Sequence, residues 1–187
     1  GVAHCDLGFG NVLVSTSPLT GRLADFGAAA VLREGATPPR CVRRREPHAF
    51  YPPAHAAPEL AFGHDVHAMA TLCYLVLAER HPLTDEWRAL LAGTWSGAPD
   101  PHLHAARRSL LELAPGLARQ RGMARLSALL LRCVSADPEE RPRSGMELLR
   151  AWNEALGPGE PDGEHDGDHV TATAPIPGRA PARRWPW

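Results

Sequence analysis

Short apolar runs alternate with polar and glycine-containing stretches at the start of the chain. Val12–Val14 and Arg22–Ala24 flank the turn-like stretch STSPLTG, and this pattern predicts a small β-hairpin. From Asp65 onward the apolar positions follow a helical period. The mainly apolar run over residues 66–78 predicts a buried helix that Asp65 can cap, and the run is too short to span a bilayer.

Further helices, separated by Pro and Gly, are predicted near residues 84–93, 103–114, 122–135 and 144–156. Residues 33–58 are rich in Pro, Arg and Ala without a sustained period, which predicts one long surface loop. After residue 156 the chain is rich in Gly, Pro and acids and can bury little apolar surface. The patterns predict a mainly α domain of the α+β class over 1–156 and a disordered tail over 157–187.

Composition narrows the functional classes only slightly. The 187 residues carry a formal net charge of −1, which points to neither nucleic acid nor a membrane surface as a partner. All 20 basic residues are arginine, so lysine-dependent chemistry is excluded within this segment. Four acids and two histidines between residues 162 and 169 favour a solvated charge run over a metal site. The cysteines lie far apart without a CxxC pair, which predicts a reduced, cytoplasmic protein without a compact zinc site: Cys5, Cys41, Cys73 and Cys133.

Candidate chemistry is concentrated on either side of the predicted hairpin. The polar loop HCDLGFGN, residues 4–11, contains Asp6 and Asn11, and Asp25 follows the second strand. Because a hairpin brings its two ends together, Asn11 is expected to lie near Asp25. An amide oxygen beside a carboxylate suits Mg²⁺, and Asp6 could accept a proton from an attacking hydroxyl. These are the groups that phosphoryl transfer requires.

Five sequence blocks resemble the motifs of the protein kinase family, in the family's order. HCDLGFGN resembles the catalytic loop H-R-D-L-x-x-x-N, and DFG at 25–27 matches the metal-binding triplet. APE at 57–59 matches the end of the activation segment. The stretch DVHAMATLCYLVLAERHPL from Asp65 is similar to the family's central buried helix, and CVSADPEERPRSGMELL from Cys133 is similar to its closing helix motif. The resemblance therefore covers residues 4 to about 156.

The resemblance implies a serine/threonine kinase-like function and assigns roles around the hairpin. Asp6 is then the catalytic base, while Asn11 and Asp25 bind Mg²⁺ and, through it, ATP. His4 and Phe26 stack in the hydrophobic spine beneath the site. The partners implied are ATP and a protein substrate, with a further protein partner possible and with no nucleic acid and no membrane segment.

Four other residues receive structural roles from the same resemblance. Gly27 completes the DFG triplet, and Asp65 reaches back to the catalytic-loop backbone. Glu59 and Arg141 form a buried ion pair, which stabilises only when both partners are present. The residues alone also allow plainer roles, because Asp6 and Asn11 could simply form a turn and Asp65 could be a helix cap.

Three positions depart from the family pattern. Cys5 stands where the family has the arginine that receives an activation-loop phosphate, and Gly8 replaces the lysine that neutralises the γ-phosphate. Pro52 replaces the threonine expected seven residues before Glu59. These departures favour a pseudokinase-type interaction module as an alternative. The loop DLGFGN also resembles that of small-molecule phosphotransferases, which is a third possibility.

The family's N-terminal lobe is not represented in this sequence. The glycine-rich loop, the lysine that contacts ATP and its glutamate partner all precede the catalytic loop in the family, and the sequence begins at that loop. The resemblance therefore implies a C-terminal lobe without its N-terminal lobe. Mg²⁺ and ATP are expected to bind only when an N-terminal lobe is present.

Overall fold

The computed structural model describes residues 1–31, 62–83, 107–135 and 137–157. These residues form a mainly helical structure with two small antiparallel strand pairs, and this confirms the predicted α+β class. The strands are β1 (Val2–Ala3), β2 (Val12–Thr16), β3 (Leu19–Leu23) and β4 (Ala30–Val31), and the helices are α1 (Phe62–Ala78), α2 (Leu110–Leu113), α3 (Met123–Cys133) and α4 (Gly145–Leu156).

The predicted hairpin is present, with longer strands than the sequence suggested. β2 pairs with β3 in a register that places Val12 opposite Leu23 and Thr16 opposite Leu19, so only two residues connect the strands. Most residues of the stretch STSPLTG, which was predicted to be a turn, belong to the two strands. An exposed strand pair accommodates Ser and Thr side chains. Ala24 lies just beyond β3, where its N–H still donates to the Asn11 carbonyl oxygen at 2.9 Å.

A second strand pair was not predicted. β1 pairs with β4, with Ala3 opposite Ala30. Ala3 and Cys5 form a small buried cluster against which Ala30 and Phe62 pack. Strands of two residues are too short to produce a period in the sequence. This pair holds together the segments that precede the catalytic-loop stretch and follow the DFG triplet.

Helix α1 is buried, as predicted, and it packs against other residues on two faces. Residues four apart lie on one face of a helix. On one face, Val66, Ala70 and Tyr74 pack into a core formed with α2, α3 and α4. On the other, Ala68, Leu72 and Leu75 pack against Leu7 of the catalytic-loop stretch. Since α1 begins at Phe62, the prediction that Asp65 caps it is wrong, and Asp65 lies in the first turn.

The C-terminal helices agree with the predicted positions near 122–135 and 144–156. α2 coincides with the end of the helix predicted near 103–114, and its start is marked by a capping box between Ser109 and Glu112. The start of α3 and the end of α4 approach closely. Gly122 has φ of 78°, and a Cβ there would lie 2.8 Å from the Ala155 carbonyl oxygen. This contact favours glycine for both conformation and space.

Several predictions concern residues outside the described ranges. They are the surface loop over 33–58, the helix near 84–93 and the disordered tail, of which only Gly157 is described. In the parts of the chain that the structure does describe, no helix has both the length and the hydrophobicity needed to cross a bilayer.

Candidate active site

Asp65 anchors the backbone of the catalytic-loop stretch to α1. Its Oδ2 accepts a hydrogen bond from the His4 N–H at 2.6 Å, and its Oδ1 accepts one from the Cys5 N–H at 2.9 Å. Cys5 has φ of 67°, a left-handed conformation that costs a non-glycine residue about 1–2 kcal/mol. Hydrogen bonds to a charged acceptor are strong enough to offset this cost. The contact to the loop backbone is the one that the resemblance implies for Asp65.

Asn11 and Asp6 contact each other across the loop. Asn11 Nδ2 donates to the Asp6 carbonyl oxygen at 2.7 Å and approaches Asp6 Oδ2 at 3.4 Å. Both neighbours are acceptors, so the amide must present its NH₂ group to Asp6. Its Oδ1 therefore points elsewhere. Asp6 and Asn11 are both half-buried, at the edge of the structure rather than within the core.

Asp25 lies at the opposite end of the hairpin from the β2–β3 turn, as the sequence predicts. The bond between Ala24 N–H and the Asn11 carbonyl oxygen keeps the two strand ends adjacent. Asp25 is exposed and has φ of 57°. Its Oδ1 accepts the Gly27 N–H at 3.2 Å, and so it caps the short 3₁₀ helix Phe26–Ala28. A Cβ on Gly27 would lie 3.1 Å from this oxygen, so the turn favours glycine.

His4 and Phe26 are in ring contact. Their centroids are 4.8 Å apart and their planes are inclined by 54°. His4 is buried and its Nε2 bonds the Ala24 carbonyl oxygen at 2.9 Å, while its Nδ1 accepts the Asp6 N–H at 3.3 Å. The imidazole proton of the neutral ring therefore belongs on Nε2. Phe26 itself is 54% exposed, so the described residues cover only one side of this pair.

Arg141 joins the segment before α4 to the start of α1. Its side chain is only 2% exposed, and this burial lowers the pKa of the guanidinium. Nε donates to the Ser135 carbonyl oxygen at 2.6 Å and Nη1 to the Gly63 carbonyl oxygen at 3.3 Å. Glu59 lies outside the described residues, and its pairing with Arg141 stays a prediction.

Sequence reasoning missed the groups that position these side chains. The carbonyl oxygens of Ala24, Gly63 and Ser135 accept bonds from His4 and Arg141, and backbone groups leave no residue-type signal. Glu140 was also missed. It accepts hydrogen bonds from the Ser135 hydroxyl and from Arg107, and these bonds lower its pKa.

The side-chain oxygens of Asn11 and Asp25 could supply only some of the ligands that a metal ion needs. Among the described residues, no group of three or more His, Cys, Asp or Glu side chains could hold a metal ion. One carboxylate and one amide leave most coordination positions to other ligands. That is the usual situation for Mg²⁺, which retains water or takes phosphate oxygens.

Comparison with known proteins supports the fold assignment. No protein-family model matches the chain, and no curated protein does. Among solved structures, the chain is similar to the kinase PK-1 of Cydia pomonella granulovirus, with a TM-score of 0.55 and 12% sequence identity. The match covers 80% of this chain and 52% of that one, so the chain spans about half the length of the viral kinase. At this identity the likeness concerns the fold, and the chain has a kinase-like fold.

Proposed function

We propose that the chain is the C-terminal lobe of a serine/threonine protein kinase-like domain. In this proposal it transfers the γ-phosphoryl group of ATP to a protein hydroxyl once an N-terminal lobe completes the site. The observation that carries the proposal is the contact of Asn11 with Asp6 in a loop that Asp65 anchors to α1. A plain surface turn would not require two hydrogen bonds to a carboxylate on the central helix.

Asp6 is the proposed catalytic base. Its half-buried position leaves it within reach of solvent, and Asn11 constrains its backbone and its carboxylate together. A base acts efficiently only when it is held within hydrogen-bond reach of the hydroxyl. The anchoring of His4 and Cys5 by Asp65 supplies rigidity immediately before Asp6 in the chain.

Asn11 Oδ1 and Asp25 Oδ2 are the proposed protein ligands of Mg²⁺. Within the described residues neither oxygen makes a hydrogen bond, while the other polar atom of each side chain is engaged. Hard oxygen donors of this kind fit Mg²⁺. When bound, the ion would neutralise charge on the phosphates of ATP.

Exposed apolar side chains on the hairpin support the need for a second lobe. Val14 is 64% exposed, Leu19 80% and Leu23 42%. The register places these residues on one face of β2 and β3, because Val14 is opposite Gly21 while Thr16 is opposite Leu19. An N-terminal lobe that covers this face would also supply the ATP-contacting lysine of the family, since this sequence contains no lysine.

An interaction module without catalysis is the second candidate. Cys5 is buried, and its Sγ donates to the Ala3 carbonyl oxygen at 3.3 Å, so it offers no cation to a phosphorylated loop. The exposed hairpin face could then serve a protein partner instead of catalysis.

The test compares variants of the whole reading frame that encodes this chain, using transfer of radiolabelled γ-phosphate to protein substrates. We expect Asp25→Asn to abolish transfer, since it weakens the charge that holds Mg²⁺. Asp6→Asn should lower kcat about 10²–10⁴-fold with little change in nucleotide affinity. Asp137→Asn, in an exposed turn, is the matched control and should leave activity unchanged.

Thr37→Ala adds a regulatory arm to the same assay, because Thr37 and Tyr51 are the only residues with a hydroxyl side chain between Asp25 and Glu59, the stretch that the resemblance assigns to the activation segment. Activity should not depend on this threonine, because Cys5 cannot bind a phosphate as arginine does. A folded wild type that binds a protein partner but transfers no phosphate would favour the interaction module. Loss of activity in Thr37→Ala alone would contradict the role given to Cys5.

A further inference from the structure

Two exposed arginines converge where α4 ends. An ideal Cβ on Gly157 would lie 3.9 Å from Nη2 of both Arg121 and Arg125. Arg125 also donates from Nε to the Ala155 carbonyl oxygen at 2.9 Å. Arg119 lies two residues before Arg121 and is exposed as well. We call these three residues the arginine patch.

The end of α4 accounts for only part of this positive charge. The negative end of the helix dipole and the Ala155 carbonyl oxygen explain Arg125. Among the described residues no such hydrogen bond is found for Arg119 or Arg121, and none of the three arginines forms an ion pair there. Three exposed cations that are close in sequence, two of which meet at Gly157, therefore lack an ion-pair partner among the described residues.

The sequence supplies that counter-charge directly after Gly157. Residues 160–168, the acidic segment, carry five carboxylates and no arginine: Glu160, Asp162, Glu164, Asp166 and Asp168. One residue extends a chain by at most about 3.6 Å, so the Cα of Glu160 must lie within about 11 Å of the Cα of Gly157. That is close to the Debye length of about 10 Å at 0.1 M salt. Covalent connectivity thus limits how far the first carboxylate can lie from Arg121 and Arg125, which both approach Gly157.

We propose that the acidic segment docks on the arginine patch of its own chain. Single exposed ion pairs are weak, so the contact depends on several charges acting together and on low salt. The short connection compensates by giving the acids an effective concentration in the millimolar range. The contact is independent of the proposed phosphoryl transfer.

The test uses NMR on the full chain and on a tail variant in which the five acids become amides. We expect the backbone amide signals of residues 119–125 and 153–157 to shift in the tail variant, with little change elsewhere. In 1 M NaCl, where the Debye length is about 3 Å, most of this difference should disappear. A free peptide of residues 157–169, added at millimolar concentration to the tail variant, should restore the original shifts.

Patch variants provide the reciprocal measurement. Arg119→Gln with Arg121→Gln should abolish the effect of neutralising the tail, and it preserves Arg125, which bonds the end of α4. Arg108→Gln with Arg150→Gln changes two exposed arginines elsewhere and should leave the tail effect intact. Identical spectra for the full chain and the tail variant would overturn the proposal, as would a difference that persists in 1 M NaCl. Shifts that depend on protein concentration would assign the contact to a second copy and overturn docking within one chain.

Discussion

Asp65→Asn tests whether one side chain holds the loop that contains Asp6. The carboxylate accepts N–H groups from His4 and Cys5, at 2.6 and 2.9 Å. An asparagine has one acceptor oxygen, so one N–H would face an NH₂ group instead. Hydrogen bonds to a charged group contribute about 1.5–3 kcal/mol each, and the variant loses one and weakens the other. The charge also lies in the first turn of α1, where a helix dipole favours it by about 0.3–1 kcal/mol.

The expected loss is therefore about 2–4 kcal/mol in the free energy of unfolding. It can be measured by urea denaturation followed by circular dichroism, with the m-value checked for constancy. Asp137→Asn is the matched control. Its carboxylate accepts a single N–H, from Glu139 at 2.9 Å, at the start of a 3₁₀ helix where asparagine caps equally well. Equal stability losses in the two variants would refute the anchoring role of Asp65.

Three further outcomes are expected. Arg141→Ala should destabilise the fold by about 2–4 kcal/mol, because a buried guanidinium that bonds two carbonyl oxygens is lost. Arg143→Ala removes an exposed ion pair with Glu139 and should change the urea midpoint little. Similar midpoints for the two variants would contradict the prediction. Burial raises the pKa of the Cys133 thiol from 9.0 to about 12. Raising the pH from about 9 to 11 therefore ionises this thiol only in the unfolded chain and lowers stability by up to about 1.4 kcal/mol per pH unit. Burial also raises the pKa of Cys73 and of Tyr74, so Cys133→Ala should reduce this slope in urea titrations without removing it. On the proposed function, the chain alone should bind ATP·Mg²⁺ weakly, since the N-terminal lobe would supply much of the surface around the adenine, and a low-micromolar dissociation constant by calorimetry would contradict this.

The sequence predicted those elements that are long and strongly periodic. The helices α3 and α4 begin and end within two residues of their predicted bounds, and the hairpin lies where the apolar runs around Asn11 and Asp25 placed it. The sequence did not predict that α1 begins at Phe62, before Asp65, because Gly63 is unfavourable within a helix. The packing of α1 on both sides explains why a glycine is tolerated there, since tertiary contacts outweigh local propensity.

For the candidate site, the sequence predicted that the two ends of the hairpin meet but not how the side chains are held. The hydrogen bond from the Ala24 N–H to the Asn11 carbonyl oxygen keeps those strand ends adjacent, as hairpin geometry predicts, and the contact between His4 and Phe26 is the one that the family resemblance implies. The positive φ of Cys5 left no signal, because such a conformation in a non-glycine residue depends on partners distant in sequence. Those partners belong to α1, sixty residues away in the chain.

The two-sided packing of α1 has a consequence for the lifetime of the loop conformation. The N–H groups of His4 and Cys5 are bonded to a helix whose opposite face carries Val66 and Tyr74 of the main core. Because Asp65 is fixed in the first turn of α1, we expect the release of these amides to be coupled to movement of that turn and of the core behind it. Their hydrogen–deuterium exchange should therefore follow cooperative unfolding rather than local fraying. The backbone just before Asp6 would open only as often as the whole structure does.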